Sequence, residues 1–490
     1  MTLFTKLDDL ISSQDRHYPT SSTLLANLGV PSTSVAVLDD GVISSHCFSS
    51  VNDNEDTVFQ ACSISKPVTC MAIMKLIDQG KLQLESRIVD LLPEDIMEIL
   101  TNEASANRKT MIENITVKQL LSHTSGLSTG GFPGYSVLNH ASIPTAHEIL
   151  GGKGPTNTMR VRLEGIPGHS FSYSGGGLTV VQLILETITG KDFATLMHDT
   201  VLGPLNMTRS SYRPLSPDET NSAKAYYTGY TPCEDEQRVN PEQAAAGLWT
   251  TPTDLLKVIR AVQESLENAD NTGFIQQATA KCMLTEEDSG MALSWLAPRD
   301  PGTMFSHSGS NNPGWRCWVG GFADLVGRGD SGVPRNRGVA VMTNSAVGDD
   351  VVWKVTSAVA YLKGWIGIPR MSTYPAMIPF HASGRDLNEQ WRDWIGSWSD
   401  GRSILAIEAH DKDAPTIRLG DETRMRLLAA AIPNSKYTGK QHMKSFNAIV
   451  DGLGLLFRFG VAEDERTLEM WNGGSGKITQ LHRVDQFIRD

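Results

Sequence analysis

The chain has 490 residues, 40% of them hydrophobic, and a formal net charge of −12. That length suggests two domains, and the apolar fraction allows a substantial core. The negative balance argues against a nucleic-acid partner and an anionic membrane surface, because no basic stripe is available to neutralise phosphates.

The first eleven residues, Met-Thr-Leu-Phe-Thr-Lys-Leu-Asp-Asp-Leu-Ile, have a helical apolar rhythm broken by acids. They lack the basic start and unbroken apolar stretch of a secretory signal. No run of about eighteen apolar residues predicts a membrane helix. Six cysteines, at 47, 62, 70, 233, 282 and 317, show no paired spacing and read as free thiols of a reducing compartment. The expectation is a cytoplasmic protein. Cys-x-x-Cys is absent and no His/Cys/Asp cluster has ligand spacing, so neither a metal nor a cofactor is expected.

Ser34 to Leu38, then Asp39-Asp40-Gly41, then Val42 to Ser45 read as a β-hairpin on an Asp-Gly turn. Phe59 to Lys66 leads into an apolar run that predicts a buried helix ending near Gly80. Residues 60–280 carry mostly helical periods and long loops, including a helix from Leu178 to about Thr189. Trp315–Phe322 and Gly338–Thr343 return to strand character, and Asp349–Trp365 reads as a helix. Strands at both ends of a domain with helices between them suit an antiparallel sheet covered on its faces. Residues 367–386, rich in Pro, Ser, Met and Gly, read as a linker. Beyond them, short apolar-rich segments recur every ten or so residues: Trp398, Ser403–His410, Thr416–Leu419, Met425–Ile432, Ser445–Val450, Leu455–Val461, Thr467–Trp471 and Lys477–Val484. That spacing predicts a small antiparallel barrel or sandwich.

The chemistry starts at Ser63 and Lys66. Three apart at a helix N-terminus, they share a face. A hydroxyl beside an amine is an activated nucleophile when burial or nearby positive charge lets the amine take the hydroxyl proton. Ser-x-x-Lys alone is weak, since a helix cap beside a surface lysine produces the same pattern. Two later segments add to it: Phe-Ser-Tyr-Ser-Gly-Gly-Gly, with Tyr173 in a loop before an apolar helix, and Phe-Ser-His-Ser-Gly-Ser, with His307, Ser308 and Gly309 on a strand edge. Cys62 and Cys70, which flank Ser63, read as small buried hydrophobes.

Ser-x-x-Lys, then a tyrosine motif, then His-x-Gly in this order resembles the serine β-lactamase and penicillin-binding protein superfamily, in its class C β-lactamase, DD-peptidase and esterase branch. Ile115–Leu127 (Ile-Thr-Val-Lys-Gln-Leu-Leu-Ser-His-Thr-Ser-Gly-Leu) and Ala245–Leu255 (Ala-Ala-Gly-Leu-Trp-Thr-Thr-Pro-Thr-Asp-Leu) resemble two further segments of that branch, and Pro31 to Val37 resembles its first core strand. The resemblance covers about residues 5–365. It implies an α+β fold with an antiparallel sheet, a helical lobe and the active site between them. The expected domains are 1–366 (catalytic) and 387–490, a small all-β barrel that resembles, by pattern alone, the lipocalin-like domain attached to some members.

The resemblance implies catalysis by Ser63, Lys66 and Tyr173 through a covalent serine ester on a small-molecule acyl substrate. The oxyanion donors would be the backbone N–H groups of Ser63 and Ser310. Gly309 would let substrate lie against the strand edge. His307 would bond Tyr173 or a substrate carboxylate, and Trp315 would line an acyl pocket. His123 is expected to be loop scaffolding. One residue departs from the family pattern: the third position of the tyrosine motif, usually Asn, is Gly175. Losing that amide leaves Lys66 less well oriented and favours ester over amide chemistry. The leading reading is a carboxylesterase or a secondary-metabolite transacylase. The alternatives are a D-aminopeptidase or DD-peptidase and a non-catalytic binding protein that keeps the fold.

Overall fold

In a computed structural model of the protein, Asp40 and Gly41 both take positive φ, 48° and 77°. This handedness suits a two-residue hairpin, so Ser32–Asp39 (β1) and Val42–Ser49 (β2) pair in register across it. The structure describes residues 1–12, 20–102, 104–128, 132–136, 143–216, 218–227, 232–233, 238–297, 304–323, 336–365, 394–401, 404–408, 416–419, 425–430, 445–450, 455–462, 465–472 and 476–484. Two units result, Leu25–Val352 and a second made of Met1–Leu24 with Trp353–Asp490. The expected linker, 367–386, lies outside the described residues.

In the first unit Phe59–Gln60 (β3) pairs with Trp249–Thr250 (β4). Met304–Asn311 (β5), Trp315–Phe322 (β6) and Gly338–Thr343 (β7) complete a five-stranded antiparallel sheet in the order β2-β1-β7-β6-β5. Sequence-distant strands are neighbours: β1 pairs with β7, so the sheet closes only when both ends of the unit are present. β5 is an edge strand, which matters for the site. The helix Pro252–Glu267 packs on β1, β6 and β7. Thr251 caps its N-terminus and Pro252 opens its first turn, as that turn permits.

The helix Ser65–Asp78 is buried on nearly every side, from Ser65 through Met74 and at Leu76. A helix apolar all round belongs in an interior, and this one runs through the main core cluster. A three-residue turn, Cys62–Ile64, precedes it. The helix expected from Leu178 starts earlier, at Gly175, because Ser174 caps it and accepts the Gly177 N–H at 2.9 Å. A methyl at Gly176 would lie 2.6 Å from the Ser128 carbonyl oxygen and 2.8 Å from Val161, so only glycine lets this turn approach so closely. Among the described residues no disulfide joins the cysteines, and burial pushes the Cys70 thiol up, away from reactivity.

In the second unit the strands Gly396–Ser399 (β8), Ile404–Glu408 (β9), Thr416–Leu419 (β10), Met425–Ala430 (β11), Ser445–Val450 (β12), Leu455–Ala462 (β13), Glu465–Asn472 (β14) and Gly476–Val484 (β15) pair antiparallel. Their order runs β10 through β15, then β8 and β9, and β9 returns to β10. Trp398, Leu405, Ile407, Leu468 and Leu481 are buried, and Trp398 stacks on Trp394 with ring centroids 5.3 Å apart. Among the described residues no helix is long and apolar enough to cross a membrane.

Asp254 ties the first unit together. Its buried carboxylate accepts from the Arg209 N–H at 2.9 Å, Ser210 Oγ at 2.7 Å and Lys257 Nζ at 2.7 Å. Asp254→Ala takes the acceptor from the Arg209 N–H and leaves Ser210 and Lys257 with only Thr250 and the Asn206 carbonyl, and should cost about 2–4 kcal/mol. The expected outcome is a clear drop in the urea midpoint of the full chain; an unchanged midpoint would refute this role.

Candidate active site

The site is built on the turn before the helix Ser65–Asp78. Cys62 takes φ 54°, a left-handed conformation that costs a non-glycine residue about 1 kcal/mol or more. Its surroundings hold it there. The Ala61 N–H donates to Leu248 O at 2.8 Å, and Ser65 Oγ donates to Cys62 O at 2.6 Å while accepting from Leu248 N at 3.0 Å. The turn presents Ser63 half-buried at the head of the helix.

Lys66 is 2% exposed. Its Nζ donates to Ser63 Oγ at 3.0 Å and to the Ala245 carbonyl at 2.7 Å, and lies 5.0 Å from the centroid of the Tyr173 ring. The structure therefore brings Ser63, Lys66 and Tyr173 together. It also corrects one expectation. With Gly175 in place of Asn, Lys66 still has a firm orienting partner, the Ala245 carbonyl of the short helix Gln243–Ala246. Ala244 and Ala245 are fully buried, and their small side chains let this helix pack against both Ser65–Asp78 and Gly175–Thr189.

His307 lies on β5, with Gly309 and Ser310 beyond it. Ser306 exchanges backbone hydrogen bonds with Leu296, away from β6. The strand alternates with a period of two, so the backbone groups of Ser308 and Ser310 also point away from β6. The Ser310 N–H thus faces the open edge, beside the turn that carries Ser63.

The His307 side chain is buried and its Nδ1 donates to the Ser308 carbonyl at 2.6 Å. Its ring centroid is 6.4 Å from that of Tyr173, and the Nδ1 bond goes to its own strand, leaving Nε2 as the nitrogen for Tyr173 or a substrate carboxylate.

Two other assignments change. Gly309 serves the packing of β5 on the Ser63 turn: a methyl there would lie 2.5 Å from the Ala61 carbonyl oxygen and from Cys317 Sγ, and 2.9 Å from Cys62 Cβ. Its side-chain position faces protein, leaving no space for substrate on that side. Trp315 is fully buried, edge-on to Phe59 and Trp249 with centroids 6.2 and 5.5 Å away. It is a core residue.

Residues outside the sequence motifs complete the floor. Asn311 Nδ2 donates to Gln60 Oε1 at 2.8 Å and to Ala246 O at 3.2 Å, and Gln60 Nε2 donates to Arg238 O at 2.7 Å. These bonds tie the end of β5 to the Ser63 turn and to the peptide next to Ala245. No sequence signal marks either amide. His123, expected to be scaffolding, lays its ring directly on Tyr173, centroids 4.4 Å apart. Among the described residues no group of three or more His, Cys, Asp or Glu could hold a metal ion.

A family model described as Beta-lactamase matches residues 20–360. The chain belongs to the β-lactamase family. Its members are serine hydrolases with the β-lactamase/transpeptidase fold. Penicillin-binding protein 4 of Amycolatopsis lactamdurans is 29% identical over 196 residues, 38% of this chain and 45% of that protein. The chain spans about half the length of the curated relatives it matches. The octameric penicillin-binding protein homologue from Pyrococcus abyssi superposes with a TM-score of 0.58 at 18% identity, covering 98% of this chain and 99% of that one. The D-alanine carboxypeptidase AmpC from Burkholderia cenocepacia gives 0.51 at 18% identity, over 74% and 99%. At such identity these two show the fold alone.

In this β-lactamase-family site both imidazoles are held neutral. Burial, then the charge of Lys66, pushes His307 down from 6.5 to about 4. Burial, then Lys66 and His307, pushes His123 well below 6.5. The unfolded chain therefore takes up these protons first as pH falls. Stability should decline from about pH 6.5 downward, and the His307 contribution, on the order of 3 kcal/mol, should level off below about pH 4. Urea unfolding across that range should show a shallower decline for His307→Gln than for the wild type; equal slopes would contradict the burial of a neutral imidazole.

Proposed function

We propose that this protein is a serine hydrolase or acyltransferase that acts on an ester through an acyl-Ser63 intermediate. One observation carries the reading: Lys66 Nζ lies 3.0 Å from Ser63 Oγ and 5.0 Å from the Tyr173 ring centroid, inside a buried site. Ser63 Oγ attacks the carbonyl carbon as its proton passes to the Lys66 amine, directly or through Tyr173. The N–H groups of Ser63 and Ser310 receive the oxyanion. The bond to the leaving oxygen then breaks, and the proton returns through Tyr173 to that oxygen, which departs as an alcohol. Water or an acceptor alcohol attacks the acyl ester and yields its proton to the same pair. The proton returns to Oγ as the product leaves.

Gly175 supports ester chemistry. It offers no side-chain amide to a peptide substrate, and an alcohol needs less help in leaving than an amine. A peptidase for D-amino-acid substrates is the second reading, favoured by the fold shared with a D-alanine carboxypeptidase and a D-stereospecific amidohydrolase. We assign catalysis to 1–366 and read the closed strand order of β8–β15 as a lipocalin-like barrel within 387–490.

The full chain should turn over p-nitrophenyl esters and gain an acyl mass, and Ser63→Ala should abolish both. Turnover of a D-amino-acid p-nitroanilide instead would favour the peptidase. No adduct with these or with nitrocefin would leave a binding protein. Tyr173→Phe should lower kcat by about 10²–10⁴-fold and His307→Ala by only about tenfold; equal losses would count against a proton-carrying Tyr173 beside an edge-shaping His307.

A further inference from the structure

The helix Val117–Leu121 opens with a capping box between Thr116 and Gln119 and ends at Ser122. The next residue, His123, takes φ 57° and is fully buried. Left-handed backbone is uncommon outside glycine, with Asn, Asp and His the tolerated exceptions. From this position His123 meets three consecutive residues of the tyrosine loop. Its carbonyl accepts the Ser172 N–H at 2.8 Å, its Nδ1 accepts the Ser174 N–H at 3.1 Å, and its ring lies on the Tyr173 ring at 4.4 Å with a tilt of 36°.

The backbone bond to Ser172 is available to any residue. The other two contacts need a side chain with both a planar face and an acceptor one bond from the ring carbon that joins Cβ. Because Nδ1 accepts, the proton of the neutral ring sits on Nε2, which is buried without a hydrogen-bond partner among the described residues. Phe171 stands edge-on to the same ring, 6.1 Å away. A buried polar atom left without a partner asks for an explanation. In this loop it is the cost of placing a flat, neutral, acceptor-bearing ring against the phenol.

We infer that His123 is a positioning residue for Tyr173, fixing the phenol for proton transfer to the leaving group. This role rests on the proton-carrying role proposed for Tyr173. A scaffold residue and a positioning residue differ in one measurable way. Loss of a scaffold lowers the active fraction and depresses all substrates alike. Misplacing a proton donor harms poor leaving groups more than good ones, since a good leaving group departs without a proton.

The test measures kcat/KM of the full chain on p-nitrophenyl butyrate and on phenyl butyrate, whose leaving group is more basic. His123→Ala is expected to lose about tenfold more on the phenyl ester than on the p-nitrophenyl ester. His123→Asn keeps an acceptor for the Ser174 N–H and tolerates left-handed backbone, so it should fold even if His123→Ala does not, and should show the same selectivity to a smaller degree. Equal losses on both esters in the two variants, or no loss, would overturn the positioning role. Tyr173→Phe separates the two levels. If it discriminates between the esters while the His123 variants do not, only the positioning role of His123 fails; if it does not discriminate, the proton-carrying role of Tyr173 fails and takes the positioning role with it.

Discussion

The first unit is organised around one buried amine. Lys66 Nζ is shared between the Ser63 hydroxyl and the Ala245 carbonyl, and the Tyr173 ring closes it from a third side. A polar group this deep is tolerated only when it is bonded. Its partners come from three separate stretches of chain, so satisfying Lys66 requires the Ser63 turn, the Gln243–Ala246 helix and the tyrosine loop to meet. The demand for a partnered amine and the assembly of the site are therefore the same constraint.

Close backbone approach makes that meeting possible. Cys62 holds a left-handed turn, Gly309 lets β5 press against it, Gly176 lets a helix press on Ser128, and two alanines let a third helix settle between two others. Each of these positions is small because a larger side chain would displace backbone, which yields far less readily than a flexible side-chain end. The strain at Cys62 is retained because hydrogen bonds at Ala61 and Ser65 over-determine it.

Electrostatics follow from the same burial. With Lys66 nearby, neither His123 nor His307 gains by carrying charge, and both lie below their ordinary range. Neutral imidazoles accept and donate single hydrogen bonds, and each ring makes one such bond, to Ser174 N and Ser308 O. His307 therefore differs from a lysine in the same strand: it shapes the edge without adding a second positive charge to compete with Lys66.

Much of this was legible in the residue order. The Asp40-Gly41 hairpin, the buried helix after Ser63, β6, β7 and the C-terminal strand spacing follow from local turn chemistry and periodicity, which act over a few residues. Ser63, Lys66 and Tyr173 were legible as candidates because their motifs, taken in order, resemble those of a known superfamily. The packing role of Gly309, the burial of Trp315, the Ala245 carbonyl beneath Lys66 and the ring of His123 on Tyr173 were not. A carbonyl is the same in every residue, and whether a glycine spares room for substrate or for protein depends on what the fold lays against it. Sequence alone determined which reactive groups the chain carries and the local elements that bear them; only the tertiary structure decided which backbone atoms hold those groups in place, because such contacts join segments 51 to 179 residues apart and leave no local pattern.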